Sequence, residues 1–297
     1  MSDITTFYQQ EFERSWEKVS AQRESRLLGA ITRADFQGPR KSFNMLEDRS
    51  MKLVTERKGD TPDGDTDAIK YWLFHQKYED VISFDEDDDF NLGQIVLPDS
   101  AEVTNQAEAL NRTADDVIIS SFEATRYIGE TGTTSEAFSS TYSVAVNYVY
   151  SGSAANSGLT IPKLRRAKYL MDNGEIPESE RFLVYGARQI DDLLATTEVG
   201  SRDYNDAVAL KEGRVDRFMG FNFIRSERLP HNAGTDVRTC YAFHKAGIKA
   251  SLGRKRVHID IRTDKRHRKQ IRTVAQLGAV RTENSARVVR IYADESP

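Results

Sequence analysis

The sequence lacks the features that mark disulfide-stabilised, secreted or membrane-spanning proteins. It contains a single cysteine, Cys240, so no disulfide can form within the chain. The first residues supply neither the basic segment nor the apolar segment of a signal peptide. No stretch of the sequence approaches the run of about 18 apolar residues that a membrane-spanning helix needs. From these absences we expect a soluble intracellular protein.

The common motifs of catalysis and cofactor binding are also missing. There is no Walker loop, no glycine fingerprint for dinucleotides and no Gly-x-Ser-x-Gly nucleophile elbow. The histidines never stand four residues apart, and one cysteine cannot supply a dense zinc site. His244 is expected to be a hydrogen-bonded structural residue and Cys240 a small buried one. We therefore predict no catalytic residue, no cofactor and no enzymatic activity.

One acidic segment has part of the pattern of a metal-binding loop. Asp85, Asp87 and Asp89 alternate as they do at the start of a calcium loop. Phe90, however, stands where such a loop needs glycine for its sharp turn, and the bidentate acid is missing. We therefore predict no metal site and interpret the segment as a solvated acidic turn, or as a patch that docks on a basic surface.

The composition is that of a chain that folds around a substantial core. Hydrophobic residues make up 38% and charged residues 30% of its 297 residues. A chain of this size buries roughly 75% of its unfolded surface. Lys and Arg number 42 against 46 Asp and Glu, a formal charge of -4. The chain as a whole is therefore not marked as a binder of nucleic acid or of acidic membranes.

Residues 1–36 are predicted to form an N-terminal arm with a long amphipathic helix over residues 4–28. Phe12, Trp16 and Leu27 fall on roughly one side of this helix, among charged residues. The segment has too few apolar residues to form a core of its own. We therefore expect it to lie against another surface.

Residues 37–92 are predicted to form an extended hairpin. Strands at 42–46 and 51–57 lead into a turn rich in Gly and Asp, and a returning strand covers 68–84. Both faces of the returning strand carry apolar side chains, which a two-stranded ribbon cannot cover by itself. Another molecule is therefore expected to cover the ribbon. The hairpin residues expected in this contact are Leu53, Tyr71, Trp72, Leu73 and Phe74.

The remainder of the chain mixes helices and strands. Helices are predicted from Asp99 to Gly129, from Thr160 to Gly174 and around residues 190–194. Strands are predicted at residues 142–150, 181–185, 221–225, 239–244, 257–262 and 288–292. The strands are grouped rather than alternating regularly with helices, so the predicted fold class is α+β.

Two runs of opposite charge stand far apart in the chain. Residues 79–89 include seven acidic side chains, and residues 249–272 include ten basic ones with two aspartates among them. A basic run can neutralise nucleic-acid phosphates, but no Phe, Tyr or Trp lies between Leu252 and Ala275 to stack on bases. We therefore favour a solvated face, or a contact with an acidic partner, over a nucleic-acid site.

A series of short motifs follows in a fixed order through the second half of the chain. They are Arg181–Tyr185, Glu198–Asn205, Ala209–Val215, Phe218–Pro230, Ala242–Ile248, Gly278–Arg281 and Val288–Ile291. Together, their order and spacing resemble the major capsid proteins of tailed bacteriophages, the group with the Hong Kong 97 fold. The resemblance covers about Thr160 to Ile291. Before that it extends to layout, because an arm, a ribbon and a long helix come in the same order.

The resemblance implies an α+β, Hong Kong 97-like capsid fold in four parts. These are an N-terminal arm (1–36), an extended hairpin or E-loop (37–92), a peripheral domain with the spine helix (93–158 and 256–297) and an axial domain (159–255). It also implies a protein that self-assembles, as hexamers and pentamers, into the icosahedral shell around a phage double-stranded DNA genome.

The implied partners follow from that role. They are other copies of the chain, a portal, separate scaffolding or decoration proteins, and packaged DNA contacted non-specifically, with no membrane. The implied location is the virion capsid, after assembly in the host cytoplasm. Two alternatives remain: a nucleic-acid-binding protein that uses the basic run, and a metal-dependent hydrolase that uses the acidic run.

Assembly offers a role for the two charged runs. We expect the acidic run of one copy to meet the basic run of another, which would make assembly sensitive to salt. Besides the hairpin residues, the expected subunit contacts are Phe12, Trp16, Asp87, Asp88, Asp89, Arg254, Arg256, Arg266 and Arg268.

Overall fold

A computed structural model describes residues 22–47, 49, 51, 53, 68–84, 101–195, 217–265 and 267–296 of the chain. These residues divide into two compact units. The first unit contains the described residues of 1–25, 77–113 and 254–275. The second contains the described residues of 26–76, 114–253 and 276–297.

The described chain contains both helices and strands. The helices are α1 (Ala101–Glu123), α2 (Ile161–Asn173) and α3 (Ala187–Ala195), with 3-10 turns at Ser140–Tyr142 and Lys245–Gly247. The strands are β1 (Thr32–Arg33), β2 (Arg40–Leu46), β3 (Ala68–Phe74), β4 (Gln76–Phe84), β5 (Arg126–Ile128), β6 (Thr134–Glu136), β7 (Ser143–Val144), β8 (Arg181–Tyr185), β9 (Arg217–Phe218), β10 (Phe221–Arg225), β11 (His231–Asn232), β12 (Val237–His244), β13 (Ile248–Arg262), β14 (Arg268–Arg281) and β15 (Val288–Asp294).

The core of the second unit is built on a sheet with strand order β7-β15-β12-β8-β10-β9, to which β11 adds beside β12. β12 pairs antiparallel with β15 and with β8, and β8 pairs parallel with β10. From Thr239 to His244 every residue of β12 is buried. A strand covered on both faces has few polar side chains, which accounts for the run Cys240–Phe243.

Two helices cover this sheet. The Phe122 ring of α1 lies 4.7 Å from that of Tyr241 and 4.9 Å from that of Phe243, centroid to centroid. α2 packs on β15 and β7 through buried Leu164 and Met171. The helices predicted from Asp99 and from Thr160 are thereby confirmed, but the prediction that the first continues to Gly129 is wrong, because α1 ends at Glu123 and Arg126–Ile128 form β5. The strands predicted at 181–185, 221–225, 239–244, 257–262 and 288–292 are also confirmed.

The start of the described chain is held by a buried carboxylate rather than by a helix. Asp115 accepts hydrogen bonds from the backbone N–H of Arg26 (3.0 Å) and of Leu27 (3.3 Å). Leu27 is fully buried in the core. The prediction of a helix through residue 28 is therefore wrong for residues 22–28. The rest of that helix, with Phe12 and Trp16, falls outside the described residues.

The hairpin prediction is right in its pairing and wrong in its exposure. β2 and β3 pair antiparallel from Arg40 opposite Phe74 to Leu46 opposite Ala68, and β5 covers the other edge of β3. Tyr71 is 2% exposed and Leu73 is fully buried, packed with Val280. The chain itself therefore covers two side chains that were expected to need another molecule, because β3 is a central strand rather than half of an isolated ribbon.

The returning strand is divided at His75, which corrects the expectation of one strand over 68–84. β3 belongs to the sheet β2-β3-β5-β6, whereas β4 is the edge strand of the sheet β1-β13-β14-β4. His75 is fixed through Nδ1 to Gly38 O (2.8 Å) and Nε2 to Ser251 Oγ (2.9 Å), and it stacks on Phe36 at 4.0 Å. These contacts hold the chain where it changes sheets.

Gly278 of β14 allows a close approach of main chain at the same place. A Cβ on this residue would lie 2.3 Å from the carbonyl oxygen of Phe74 and 2.8 Å from Cδ2 of Leu73. Neither distance is compatible with a side chain. Glycine is therefore required where β14 passes the end of β3.

A strand predicted at residues 142–150 is limited to the two residues of β7, which pair with β15. The chain turns directly after it, where the N–H of Tyr148 donates to Ala145 O. The long strand β14 was not predicted. Its buried side chains, which include Ile271, Thr273, Ala275 and Leu277, alternate with the less buried Arg272, Val274 and Gln276.

Lys163 of α2 is a fully buried cation that joins three segments of the second unit. Its Nζ donates to Ser157 O, to Gly158 O (2.9 Å) and to Tyr292 O (3.0 Å). Loss of water on burial lowers the pKa of Lys163 to about 8. The nearby Cys240, Asp294 and Asp192 act in the opposite direction and raise this pKa, but by less. The ammonium group therefore satisfies three carbonyl oxygens while its own charge is costly to bury.

Lys163→Met should destabilise the protein by about 2–4 kcal/mol at pH 7, because three buried carbonyl groups lose their donor. Chemical denaturation of the purified variant measures this loss. Lys168→Met, the same change on a half-buried residue of the same helix, should cost no more than about 0.5 kcal/mol. Equal effects of the two substitutions would contradict this role for Lys163.

The lowered pKa gives this prediction a pH dependence. Between pH 8 and pH 10.5, the folded-state and ordinary values for Lys163, the unfolded chain holds the proton that the folded chain has released. The contribution of Lys163 to stability should therefore rise with pH across this window. The stability difference between the wild type and Lys163→Met should widen accordingly above pH 8.

Gly132→Ala should destabilise the second unit by about 1–3 kcal/mol. Gly132 has φ +73°, and a Cβ would lie 2.8 Å from Cδ1 of Trp72, whose Nε1 donates to Gly129 O (2.8 Å). Thermal unfolding measures the effect. Gly29→Ala is the control, since no atom lies within 4 Å of the added Cβ. An unchanged midpoint for Gly132→Ala would show that Trp72 moves aside without cost.

Candidate assembly surface

The basic run is divided by contacts within the chain. The Lys249 ammonium lies 4.5 Å from the ring centroid of Phe43 and 5.4 Å from that of Tyr71. Arg262 donates two hydrogen bonds to Asp264, at 2.8 and 2.7 Å. Both cations therefore already interact with other residues of the same chain. The run is therefore not one continuous positive surface.

Arg272 closes an ion pair with the acidic run inside the first unit. Its guanidinium donates to both carboxylate oxygens of Glu79, at 2.9 and 2.8 Å, and Lys77 lies 3.3 Å from the same group. The hydrogen bond from Arg272 is the main cause of the lowered pKa of Glu79. The acidic and basic runs were expected to meet between copies. For Glu79 and Arg272 that expectation is wrong, because they pair within one chain.

Three consecutive basic residues of β13 remain available. Arg254, Lys255 and Arg256 are exposed, and within the described part of the chain no carboxylate pairs with them. Arg268 is half-buried. Arg266, like Asp87, Asp88 and Asp89, lies outside the described residues.

An exposed apolar row follows these residues along β13. Val257, Ile259 and Ile261 are 49%, 57% and 62% exposed. Because successive side chains of a strand point to opposite faces, the three share one face while His258 and Asp260 point to the other. The strand was predicted, but these residues were not recognised as contact candidates. The alternation of apolar and charged residues was the signal that could have found them.

The hairpin carries a second exposed apolar group. Leu46, Met51 and Leu53 are 70%, 102% and 88% exposed. At the other end of the pairing, Phe74 is 37% exposed and meets Tyr127 edge to face, with the ring centroids 5.4 Å apart.

Trp72 is half-buried beneath the Arg40 guanidinium, 4.9 Å from the ring centroid. Of the hairpin residues expected to contact another molecule, Leu53 and Phe74 are thus exposed and Trp72 partly so.

A further polar and aromatic cluster on α2 was missed by the sequence analysis. Arg165 lies 5.0 Å from the Tyr150 ring centroid, and Arg166 lies 5.1 Å from that of Tyr169 and 5.9 Å from that of Tyr148. Tyr150 is 73% and Tyr169 55% exposed. Arg and Tyr are typical of protein contact surfaces. The helical spacing of Arg165, Arg166 and Tyr169 was the available signal.

The polar residues in and beside the core have structural partners. His244 Nδ1 accepts the N–H of Ala246 (3.2 Å), which confirms its reading as a hydrogen-bonded structural residue. Cys240 is fully buried, and burial raises the pKa of its thiol to about 12. Glu123 accepts hydrogen bonds from Tyr241 (2.7 Å) and Arg290 (2.9 Å).

Two other kinds of site are missing from the described ranges. In them, no group of three or more His, Cys, Asp or Glu residues is arranged to hold a metal ion. None of the described helices is long and apolar enough to cross a membrane. What the described surface does offer is exposed apolar side chains in rows, together with uncompensated positive charge.

Comparison with known protein families identifies the kind of protein that this surface belongs to. The sequence profile of the family described as "Phage capsid protein" matches residues 4–295. The chain belongs to the phage capsid protein family. It is a major capsid protein, a structural component of the virion shell, where copies associate with one another. No curated protein matches the sequence at a significant level.

Solved structures show the same fold at low sequence identity. A structure from Mycobacterium phage Che8 is 15% identical with a TM-score of 0.69, and the match covers 97% of each chain. The capsid of Ralstonia phage GP4 is 11% identical with a TM-score of 0.68 over 100% of both chains. The acid-stable capsid of Helicobacter pylori bacteriophage KHP30 is 11% identical with a TM-score of 0.69, covering 96% of this chain and 95% of the other.

These matches confirm the α+β, Hong Kong 97-like fold of the capsid protein. Its family and fold imply a structural role. The exposed apolar rows on β13 and on the hairpin are therefore candidate contacts within a shell. In a protein that works alone, such rows would favour aggregation.

Glu79→Lys should lower the thermal midpoint of the isolated capsid protein, because it places a third cation beside Arg272 and Lys77. Adding Arg272→Glu restores a pair of opposite charges and should recover part of the loss. Calorimetry of the single and double variants at low salt measures this. If the double variant is no more stable than either single variant, the two side chains do not interact in solution.

Proposed function

We propose that copies of this protein assemble as hexamers and pentamers into a closed icosahedral shell that encloses a double-stranded DNA genome. Membership of the phage capsid protein family carries the proposal. The exposed apolar residues of the hairpin and of β13 support it, since a closed lattice of copies buries what one chain exposes. We place assembly in the host cytoplasm, with a portal and separate scaffolding or decoration proteins as further partners.

The four-part organisation belongs to the same proposal. Residues 1–36 act as the arm, 37–92 as the E-loop, 93–158 with 256–297 as the peripheral domain, and 159–255 as the axial domain. The antiparallel pairing of β2 with β3 supports an E-loop that projects its far end toward a neighbour. Contacts through Phe12 and Trp16 of the arm remain part of the proposal.

Among the described residues, the hairpin carries the most exposed candidates for a subunit contact. Met51 and Leu53 are almost fully exposed and Leu46 is 70% exposed. Burying one such side chain against a neighbour contributes about 1.5–3 kcal/mol. One contact of this size is weak, but each contact raises the effective concentration for the next, so many together make a durable shell.

Electrostatic contacts between copies are proposed in addition to the apolar contacts, and they would determine how two copies are aligned. Asp87, Asp88 and Asp89 of one copy are proposed to meet basic residues of another, with Arg254 and Arg256 as the available described partners. Arg266 and Arg268 are also proposed to contact the acidic residues of the other copy. Screening by salt weakens such contacts, so shell formation should be favoured at low ionic strength.

Leu53→Asp should prevent shell formation without unfolding the chain, because the residue is 88% exposed and the change puts charge where an apolar contact is proposed. Light scattering and electron microscopy of the expressed protein, with its scaffolding partner if required, measure assembly. Leu53→Met keeps an apolar side chain and should still form shells.

The two possible failures have different meanings. If the wild-type protein remains a single molecule in every buffer and with every partner from its own phage, the proposed shell function is wrong. If Leu53→Asp forms normal shells, only the hairpin contact is wrong.

A further inference from the structure

Among the described strands, the outer half of β13 has a neighbour on one side only. Near its start, β1 pairs with β13 at Lys249 and Ala250. The N–H of Ala34 then donates to Ala250 O, and the N–H of Leu252 donates to Asp35 Oδ1, each at 2.9 Å. Beyond Leu252, β14 lies on one side of β13, and none of the described strands lies on the other. On that side, no strand of the described part of the chain pairs with the main chain of residues 254–262.

This edge lacks much of the protection that natural edge strands carry. Proteins commonly guard open edges with charged residues or proline, with bulges, or by keeping the strand short. Here Arg254, Lys255 and Arg256 place charge at one end, whereas Asp260 and Arg262 fall on the face opposite the apolar row, and Arg262 is paired with Asp264. The next six residues include Val257, Ile259 and Ile261, all about half exposed and on one face. An extended, partly apolar edge of this kind favours the addition of another strand.

We propose that the 254–262 edge of β13 is completed by an extended strand from a second copy of the capsid protein, which joins the sheets of two subunits. The proposal rests on the shell function proposed above and specifies one of its contacts. Main-chain hydrogen bonds along the edge provide the pairing. The row of Val257, Ile259 and Ile261 packs against apolar side chains of the added strand and so fixes its register.

Charge complementarity indicates a second copy as the occupant. The edge begins with three adjacent cations that have no carboxylate partner among the described residues. The chain itself contains an acidic run at 79–89, of which Glu79 is already paired with Arg272. A strand flanked by acidic residues satisfies the cations, whereas a strand flanked by basic residues is repelled. The three cations thus select among the strands that could add to the edge.

Nucleic acid fits this edge less well. Phosphates would neutralise the cations, but they offer nothing to the apolar row, and no Phe, Tyr or Trp lies between Leu252 and Ala275 to stack on bases. A strand supplies main-chain donors and acceptors together with apolar side chains. Pairing of an edge with a different segment of the neighbour is head-to-tail, and such contacts close into rings when the rotation between copies permits.

Hydrogen exchange tests the proposal on the protein as it exists. Wild-type shells and dissociated wild-type subunits are compared by mass spectrometry of peptides covering residues 254–262. The expected result is exchange at least about tenfold slower in shells, because the open-side amides become bonded. Equal exchange in the two states overturns the proposal. If no shells form at all, the proposed function fails instead, so the two failures are distinguishable.

A matched pair of substitutions tests which face is used. Ile259→Lys places a charge in the apolar row, and His258→Lys places the same charge on the opposite face of the adjacent residue. Ile259→Lys should reduce the yield of shells by at least about tenfold, and His258→Lys should leave it near that of the wild type. Circular dichroism checks folding, which an exposed position should preserve.

Each outcome of this pair bears on the proposal. Normal shells from Ile259→Lys overturn it, as does an equal loss with both variants, since then the face does not matter. If Ile259→Lys fails to fold, the exchange measurement on the wild type decides. Shells treated with nuclease to remove DNA provide one more comparison. If the effect of Ile259→Lys is smaller in these DNA-free shells than in shells that contain DNA, the edge lies against nucleic acid, and the proposal is likewise overturned.

Discussion

The close passage of main chain at Gly278 and Phe74 determines where the hairpin leaves the rest of the second unit. No side chain fits between the two segments, so the strand that carries Tyr71 and Leu73 lies directly on β14. His75, held by two hydrogen bonds and a stacked ring, then turns the chain into a different sheet. The base of the hairpin is thereby packed in the core, while Leu46, Met51 and Leu53, farther along the hairpin, are exposed. With this arrangement the hairpin can contact a neighbouring copy while the packing of its own subunit stays intact.

The sequence predicted most elements whose burial follows a simple period. α1 and α2 have apolar residues at helical spacing, and β8, β12 and β15 are short continuous apolar runs, so each was recognised. β14 was missed because small and polar residues such as Thr273 and Ala275 stand between its larger buried residues Ile271 and Leu277, and because the strand begins among basic residues. The strand expected after Tyr142 fails because Tyr148 and Tyr150 lie against arginines of α2. Propensity alone cannot show that a tyrosine has a partner outside a sheet.

The contact residues were harder to predict than the fold. The sequence showed that the hairpin has two apolar faces, but not that β5 and Val280 would cover Tyr71 and Leu73 within the chain. In the same way, the two charged runs were evident, yet the pairing of Glu79 with Arg272 depends on the order of strands in a sheet. Exposure is a property of tertiary arrangement. Residues such as Leu53 and Ile259 become candidates only when that arrangement is known.

The single thiol of the chain has a practical consequence for work on the shell. Cys240 lies in the central strand of the main sheet, and burial both shields it and keeps it protonated at neutral pH. Maleimide dyes and spin labels react with accessible thiolates. A cysteine engineered at an exposed site could therefore be tagged selectively without first removing the native one. Single-cysteine variants of the wild-type chain can therefore be used to measure distances between subunits by fluorescence or electron spin resonance.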